Sequence, residues 1–322
     1  MFTNDLYKTA LCNPAKGNSS LYIVSGYSSA TFAKRHLKDL SSIDKNIDVN
    51  LIIGMNGNRS DHQAYLDLKR HYKSLLNVYY IKSYPEVHAK AYAWLGENPQ
   101  GFSGSANYSQ QAFIGSQVNQ LGDTDPYTIK NFYDSLMPRT ESITTYKPIP
   151  QKIVPIIPQP RGSVQPGKIQ WLIPDTSVRI SFLAKDGEVP SASGLNWGHS
   201  TASKNKNKPS QPRDRNDAYL SIKTDATKEG FLPDKGFTFT MNADDGYVMD
   251  CVVAQDGRKS VQTTDGNPIL GSYIRKRLGV PSGKFLTASD LIRYGRTDFT
   301  LTKLDDETFE FDISLNNTNQ VS

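Results

Sequence analysis

The stretch "VHAKAYAWLGENPQGFSGSAN", residues 87–107, gathers side chains that can work on an anion. His88 and Lys90 stand two apart, and Asn107 closes a Gly104-Ser105-Ala106-Asn107 run seventeen residues beyond the lysine. On an extended strand, side chains two residues apart share a face, with Cα atoms about 6.6 Å apart. An imidazole and an ammonium at that spacing can converge on one phosphate. Gly104 and Ser105 permit a tight turn with close backbone approach. Asn107 adds amide donors where a helix is expected to start, and free N–H groups there also favour an anion. The plain alternative is an ordinary strand edge followed by a common turn. The other histidines lack matching partners: His36, His62 and His71 read as surface residues on helices, and His199 as a solvated loop residue.

These residues must be held by a scaffold, and the pattern around them supplies one. Strands are expected at 20–27, 49–55, 77–83, 87–95 and in "GFSGS". Helices are expected at 28–43, where Phe32, Leu37 and Leu40 have helical spacing, at 60–75 and at 125–137, with a further helix or turn over 107–113. Strand–helix alternation of this kind implies an α/β sandwich. Residues 147–167 hold Pro148, Pro150, Pro155, Pro158, Pro160 and Pro166, and so read as a stiff, extended linker. From residue 168 the pattern changes to short β-rich runs, "IQWLI", "VRISFLA", "AYLSIK", "FTFTM", "YVMDCVVA", "DFTLTKL" and "TFEFDIS", with one or two helices among them. That is the pattern of a mainly antiparallel barrel or sandwich. The expected organisation is therefore an α/β domain over 1–146, a linker over 147–167 and a mainly β domain over 168–322.

Composition narrows the partners. The chain has 322 residues, ordinary for two domains. Residues 1–150 carry 15 Lys+Arg against 12 Asp+Glu, and residues 151–322 carry 22 against 20, so both halves are only mildly basic. Local clusters must then mark any nucleic-acid surface. The clearest is the long polar loop 198–217, "GHSTASKNKNKPSQPRDRND". Two distant cysteines, Cys12 and Cys251, form neither a disulfide framework nor a zinc spacing, which suggests a cytoplasmic setting. The first residues lack a signal-peptide pattern, and no apolar run approaches a membrane span. Near His88 only Glu86 and Glu97 are acidic, too few for a two-metal site.

With these residues on the page, His88-Ala89-Lys90 followed by Gly104-Ser105-Ala106-Asn107 resembles the phospholipase D superfamily signature, His-x-Lys, then an aspartate, then Gly-Ser-x-Asn. Leu95 stands where the aspartate usually falls, and some nuclease members of the family likewise lack that aspartate. Gln117, or Asn119, stands where the family places a glutamate. The segments "SGLNWGHS", "RNDAYLSIK" and those from Phe239 to Ser314 are similar to the C-terminal B3-like domains of restriction endonucleases of the BfiI and NgoFVII types. The two resemblances support each other and cover nearly the whole chain.

The resemblance implies a type II-like, metal-independent, site-specific DNA endonuclease without a cofactor. His88 would form a phosphohistidine, a second imidazole would protonate the leaving oxygen, and Lys90 and Asn107 would stabilise the transition state, with Ser105 and Gln117 beside them. One such half-motif per chain implies a homodimer through the first domain. Carried onto the second domain, the resemblance implies two arms on double-stranded DNA. One is the loop with Lys204, Lys206, Lys208, Arg213, Arg215, Asn216 and Asp217, and the other lies near Asp244, Asp245, Gln255, Asp256, Arg258 and Lys259. Arg275, Lys276 and Arg277 offer backbone contact or a solvated helix face. Some relatives use a separate ATPase subunit, a need left open here. The competing readings are a phospholipase D-type phosphodiesterase acting on another substrate, and a catalytically silent DNA-binding protein.

Overall fold

A computed structural model describes residues 1, 3–55, 61–115, 118–147, 164–173, 175–200, 213–222, 231–255 and 259–315. The chain divides into two compact units, Met1–Gln151 and Lys152–Ser322. Of the proline-rich stretch, residues 148–163 lie outside the described residues.

The first unit is built on a seven-stranded mixed sheet. Its strands are β1 (Asn18–Ser25), β2 (Asp48–Ile53), β3 (Leu76–Ile81), β4 (Lys90–Gly96), β5 (Gln100–Gly104), β6 (Leu121–Asp123) and β7 (Thr140–Ser142), in the order β6-β5-β4-β1-β2-β3-β7. The pairs β1–β2 and β2–β3 are parallel and the others antiparallel. The helices are α1 (Ala30–Ile43), α2 (His62–Tyr72), the short α3 (Gln110–Phe113) and α4 (Pro126–Leu136). Period-two alternation sends Val24, Ile52 and Ile81 to one face, where Tyr133 and Leu136 of α4 cover them. Phe32 of α1 packs on the opposite face, stacked on Phe113 and edge-on to Tyr108. The Ser29 hydroxyl accepts from the Phe32 amide, and Asp61 accepts from the Ala30 amide at 3.0 Å, so α1 is capped from two directions.

The second unit carries an eight-stranded sheet, β8 (Ile169–Ile173), β9 (Ser177–Ser181), β10 (Leu220–Ser221), β11 (Thr238–Ala243), β12 (Val248–Ala254), β13 (Ser260–Thr263), β14 (Asp298–Asp305) and β15 (Thr308–Asp312). The order is β10-β13-β12-β11-β15-β14-β9-β8, and β11–β15 is its one parallel pair among the described strands. Two helices accompany it, α5 (Pro268–Arg277) and α6 (Ala288–Tyr294). A capping box of Thr287 and Asp290 starts α6, and Gly295 at φ 99° ends it. The Asp298 carboxylate, fully buried, takes Arg179 and Arg296 at 2.9 Å each and the Val164 amide at 2.8 Å. Two guanidiniums and a backbone donor leave that charge neither unpaired nor unsatisfied, which makes its burial tolerable.

Several expectations are corrected. Strand β4 begins at Lys90, so His88 lies in the extended segment leading into it. Asn107 is not at a helix start: α3 begins at Gln110 and its cap is the Ser109 hydroxyl. His36 and His62 are buried inside helix–sheet packing, and of the three helix histidines only His71 is exposed. Their partners are tyrosines, Tyr108 for His36 at 2.7 Å and Tyr80 for His62 at 3.1 Å, brought in from strands and loops far away in sequence. Arg275 is no surface residue either. It is fully buried and donates to the carbonyls of Leu195, Gly271 and Lys284. Strands β6, β7 and β13 are not among the expected ones, because three or four residues show little periodicity.

Candidate functional site: an imidazole–ammonium pair beside a clamped asparagine

The site of the first unit lies where β1 ends beside the start of β4. Ser25 and Lys90 are register partners on the antiparallel pair, so their side chains share a face. Beyond them the two chains stay paired, because the Gly26 amide donates to Ala89 at 2.9 Å. Gly26 is glycine for a steric reason. A Cβ there would fall 2.7 Å from Cδ2 of His88 and 3.5 Å from Oδ1 of Asn107. His88 and Asn107, nineteen residues apart, are thus both packed against one glycine.

Lys90 Nζ lies 2.8 Å from His88 Nε2. An ammonium can only donate, so Nε2 accepts and the ring proton sits on Nδ1. The lone pair on Nε2 is therefore available to an electrophile once an anion draws Lys90 away. Burial lowers the Lys90 pKa from its ordinary value. The Asn107 Oδ1 accepts from the Tyr27 amide at 3.2 Å, so its Nδ2 remains to donate. Together the three side chains offer a nucleophile, a positive charge and an amide donor within one small space.

Ser105 and Asn119 are placed differently. The Ser105 hydroxyl donates to Asn119 Oδ1 at 3.0 Å and accepts from the Gln120 amide at 3.0 Å, so it is committed to the segment before β6. Gln117 lies outside the described residues. Sequence reasoning passed over Tyr27, whose ring stands edge-on to His88 at 6.0 Å and is half exposed. The only available signal was its place in "SGYSS", just beyond a buried strand and a glycine.

In the second unit, Lys204, Lys206, Lys208, Asp256 and Arg258 lie outside the described residues. Arg213 lies flat on Trp197, with the guanidinium carbon 3.8 Å from the ring centroid. Arg215 Nη1 is 3.2 Å from His199 Nδ1. Burial, then the Arg215 charge, pull the His199 pKa below its ordinary value. His199 is half-buried and edge-on to Phe285 rather than freely solvated. Asn216 braces the 282–283 turn through both ends of its amide, to Ser282 and to the Gly283 amide. Asp217 is half-buried, which raises its pKa. Arg277 holds Asp244 at 2.7 Å and Asp245 at 3.1 Å.

The second expected arm is divided by the fold. Asp244 and Asp245 lie in the turn before β12, and Gln255 and Lys259 in the turn after it. These turns are at opposite ends of a seven-residue strand, about 20 Å apart. The Arg213–Asp217 segment belongs with the Asp245 end. The Asn216 carbonyl packs on Gly271 of α5, and the Tyr273 hydroxyl of the same helix donates to Asp245 at 3.1 Å.

Comparison with known proteins finds one family match in each half of the chain. Residues 4–156 match the family model of the NgoFVII restriction endonuclease N-terminal PLD domain, and residues 173–305 match that of the NgoFVII C-terminal B3-like DNA-binding domain. Among solved structures, NucT from Helicobacter pylori is similar at 20% identity and a TM-score of 0.35, covering 43% of this chain and 91% of that one. Nuc from Salmonella typhimurium, a phospholipase D family member, is similar at 15% identity and a TM-score of 0.33, covering 42% and 88%. No curated protein matches. The two halves define a DNA nuclease: a phospholipase D-type domain with a mixed sheet, followed by a mainly β, B3-like domain for double-stranded DNA. The chain belongs to the NgoFVII restriction endonuclease family. Among the described residues, no helix is long and apolar enough to cross a membrane.

Proposed function

We propose that the chain is a site-specific, type II-like restriction endonuclease that cuts DNA phosphodiesters through a phosphohistidine, without a metal ion. The observation that carries this reading is the 2.8 Å pair of Lys90 Nζ and His88 Nε2 beside Asn107. His88 Nε2 attacks phosphorus, a P–N bond forms, and the P–O bond to the leaving sugar oxygen breaks. His88 of the partner subunit protonates that oxygen, then takes a proton from the water that cleaves the P–N bond. Lys90 and Asn107 hold the non-bridging oxygens as charge builds on them. Ser105 supports the loop that carries Asn107. Residues 1–146 cut and residues 168–322 select the duplex. One half-motif per chain makes the active unit a homodimer through the first domain. The free cysteines Cys12 and Cys251 suit a cytoplasmic enzyme.

The deciding experiment is plasmid cleavage in excess EDTA by the full chain and by His88→Ala. Wild type should cut, and the variant should lose several powers of ten in rate while still binding DNA. A strict magnesium requirement of the chemistry, or a variant cutting at more than about a hundredth of the wild-type rate, would sink the mechanism. Magnesium needed only by a separate ATP-hydrolysing subunit would not bear on it. Sedimentation of residues 1–146 should show a dimer.

A further inference from the structure

Asn107 is half-buried, but both of its neighbours in the chain are gripped by fully buried groups. The Tyr92 hydroxyl donates to the Ala106 carbonyl at 2.6 Å. The Tyr108 amide donates to the Ser25 hydroxyl at 2.9 Å, and the Tyr108 carbonyl accepts from the Ser29 amide at 3.0 Å. The Tyr108 phenol lies 2.7 Å from His36 Nδ1, while His36 Nε2 lies 3.0 Å from the Leu11 carbonyl. A carbonyl only accepts, so Nε2 carries the proton and Tyr108 donates to Nδ1. Every one of these polar groups is shielded from water, so each bond is costly to lose.

Ser25 is the link between this clamp and the Asn107 side chain. It is fully buried at the end of the apolar strand β1, and both of its hydrogen-bonding capacities are used. Its oxygen accepts from the Tyr108 amide, and its hydroxyl donates to the Tyr27 carbonyl in a short contact. The Tyr27 amide in turn holds Asn107 Oδ1. Ser25 therefore ties the residue after Asn107 to the residue that fixes which way its amide points. Alanine at position 25 would leave the Tyr108 amide without its acceptor and release Tyr27. The amide of Asn107 would then be free to turn its oxygen, rather than its nitrogen, toward the bound phosphate.

We infer that Ser25 is a positioning residue for the cleavage step, acting through Asn107 and not by touching the phosphate. The inference rests on the role given to Asn107 above. A misdirected amide lowers the rate of the chemical step more than it weakens ground-state binding, because the donor matters most as charge develops.

The test is a double-mutant cycle in the full chain, with bis(4-nitrophenyl) phosphate as a phosphodiester that needs no recognition sequence. Asn107→Ala should lose roughly a hundredfold in kcat. Ser25→Ala should lose on the order of tenfold in kcat with KM within about twofold. In the Asn107→Ala background, Ser25→Ala should change kcat by less than about twofold, because the group it positions is gone. Tyr92→Phe keeps the ring and removes the hydroxyl that holds the Ala106 carbonyl and meets the Ser25 side chain, and should show the same loss and the same silence. If Asn107→Ala is severe and the Ser25 loss multiplies with it, the inference fails alone. Ser25→Ala at wild-type kcat also overturns it. If Asn107→Ala itself cuts normally, the reading of the site fails first. Should Ser25→Ala not fold, Ser25→Cys, whose thiol is only a weak donor and acceptor, decides by the same criteria.

Discussion

Lys90 Nζ and His88 Nε2 are 2.8 Å apart, so in the free protein the ammonium occupies the lone pair that the proposed chemistry needs. Phosphate binding must exchange this bond for one between Lys90 and a phosphate oxygen. Only the charged ammonium can make that exchange. Burial lowers the Lys90 pKa, so its charge is lost at a lower pH than that of an exposed lysine. Cleavage should therefore decline on the alkaline side before an ordinary lysine would titrate. Lys90→Arg, which stays charged, should be slower at neutral pH but lack that decline. Rates from neutral to about pH 10 would show it. An alkaline limb identical in both proteins would assign the decline to another group.

The close approach at Gly26 can be tested by one methyl group. An alanine Cβ would sit 2.7 Å from His88 Cδ2, nearer than such atoms approach. The ring must move, and a displacement on the order of 1 Å at a reacting atom can cost about a hundredfold. Gly26→Ala should fold and bind duplex DNA, yet cut about a hundred times more slowly. The readout is cleavage beside a binding assay on the same preparation. Unchanged cleavage would mean that the nucleophile does not depend on this packing.

How much of this was written in the sequence differs between residue classes. His88, Lys90 and Asn107 were legible because their types and order are uncommon, and the fold brings all three together. The strand–helix alternation of the first unit was legible from period-two and helical spacing in segments such as "SLYIVS" and "TFAKRHL". Ser25, Tyr92 and Tyr108 were not, since a buried hydroxyl on an apolar strand looks like any other strand residue until its partner is known. His36 was misread for a related reason. Its burial is decided by Tyr108 and Leu11, seventy-two and twenty-five positions away, not by its helix. The divided second arm was illegible because Asp245 and Gln255 are close in sequence, whereas a strand between them carries them apart.

His36 also makes a prediction about stability. Burial lowers its pKa to about 4, against an ordinary value near 6.5. The unfolded chain therefore takes up a proton between about pH 6.5 and 4 while the folded chain does not. Stability rises with pH where the unfolded state binds more protons, so this contribution is present above about 6.5 and is lost as pH falls toward 4. At about 1.4 kcal/mol per unit the loss approaches roughly 3 kcal/mol. Denaturant unfolding at several pH values should show a shallower acid slope for His36→Gln than for wild type. Parallel slopes would mean that His36 is not kept neutral by burial.

The fold of the second unit says which of its expected arm residues can read one face of a duplex together. Arg213 on Trp197 and Arg215 on His199 lie with Asn216, which packs on α5. Gln255 and Lys259 lie at the other end of β12, about 20 Å away along the strand. Stacking on an indole and bonding to an imidazole limit the rotamers of the two arginines, which suits a base reader more than a flexible phosphate contact. Arg213→Ala and Arg215→Ala should each cost about 1–3 kcal/mol on the cognate duplex and little on random DNA. Trp197→Ala should produce the Arg213 pattern at smaller size, because it frees that guanidinium without removing it. Lys206→Ala should weaken both DNAs alike and reduce the salt slope by about one unit. Lys259→Ala should leave binding unchanged if the recognition face is the Arg213–Asp217 end. Competition binding at two salt concentrations measures all five variants together. A Lys259 loss confined to cognate DNA, with both arginine variants weakening cognate and random DNA in parallel, would move base reading to the opposite end of the sheet.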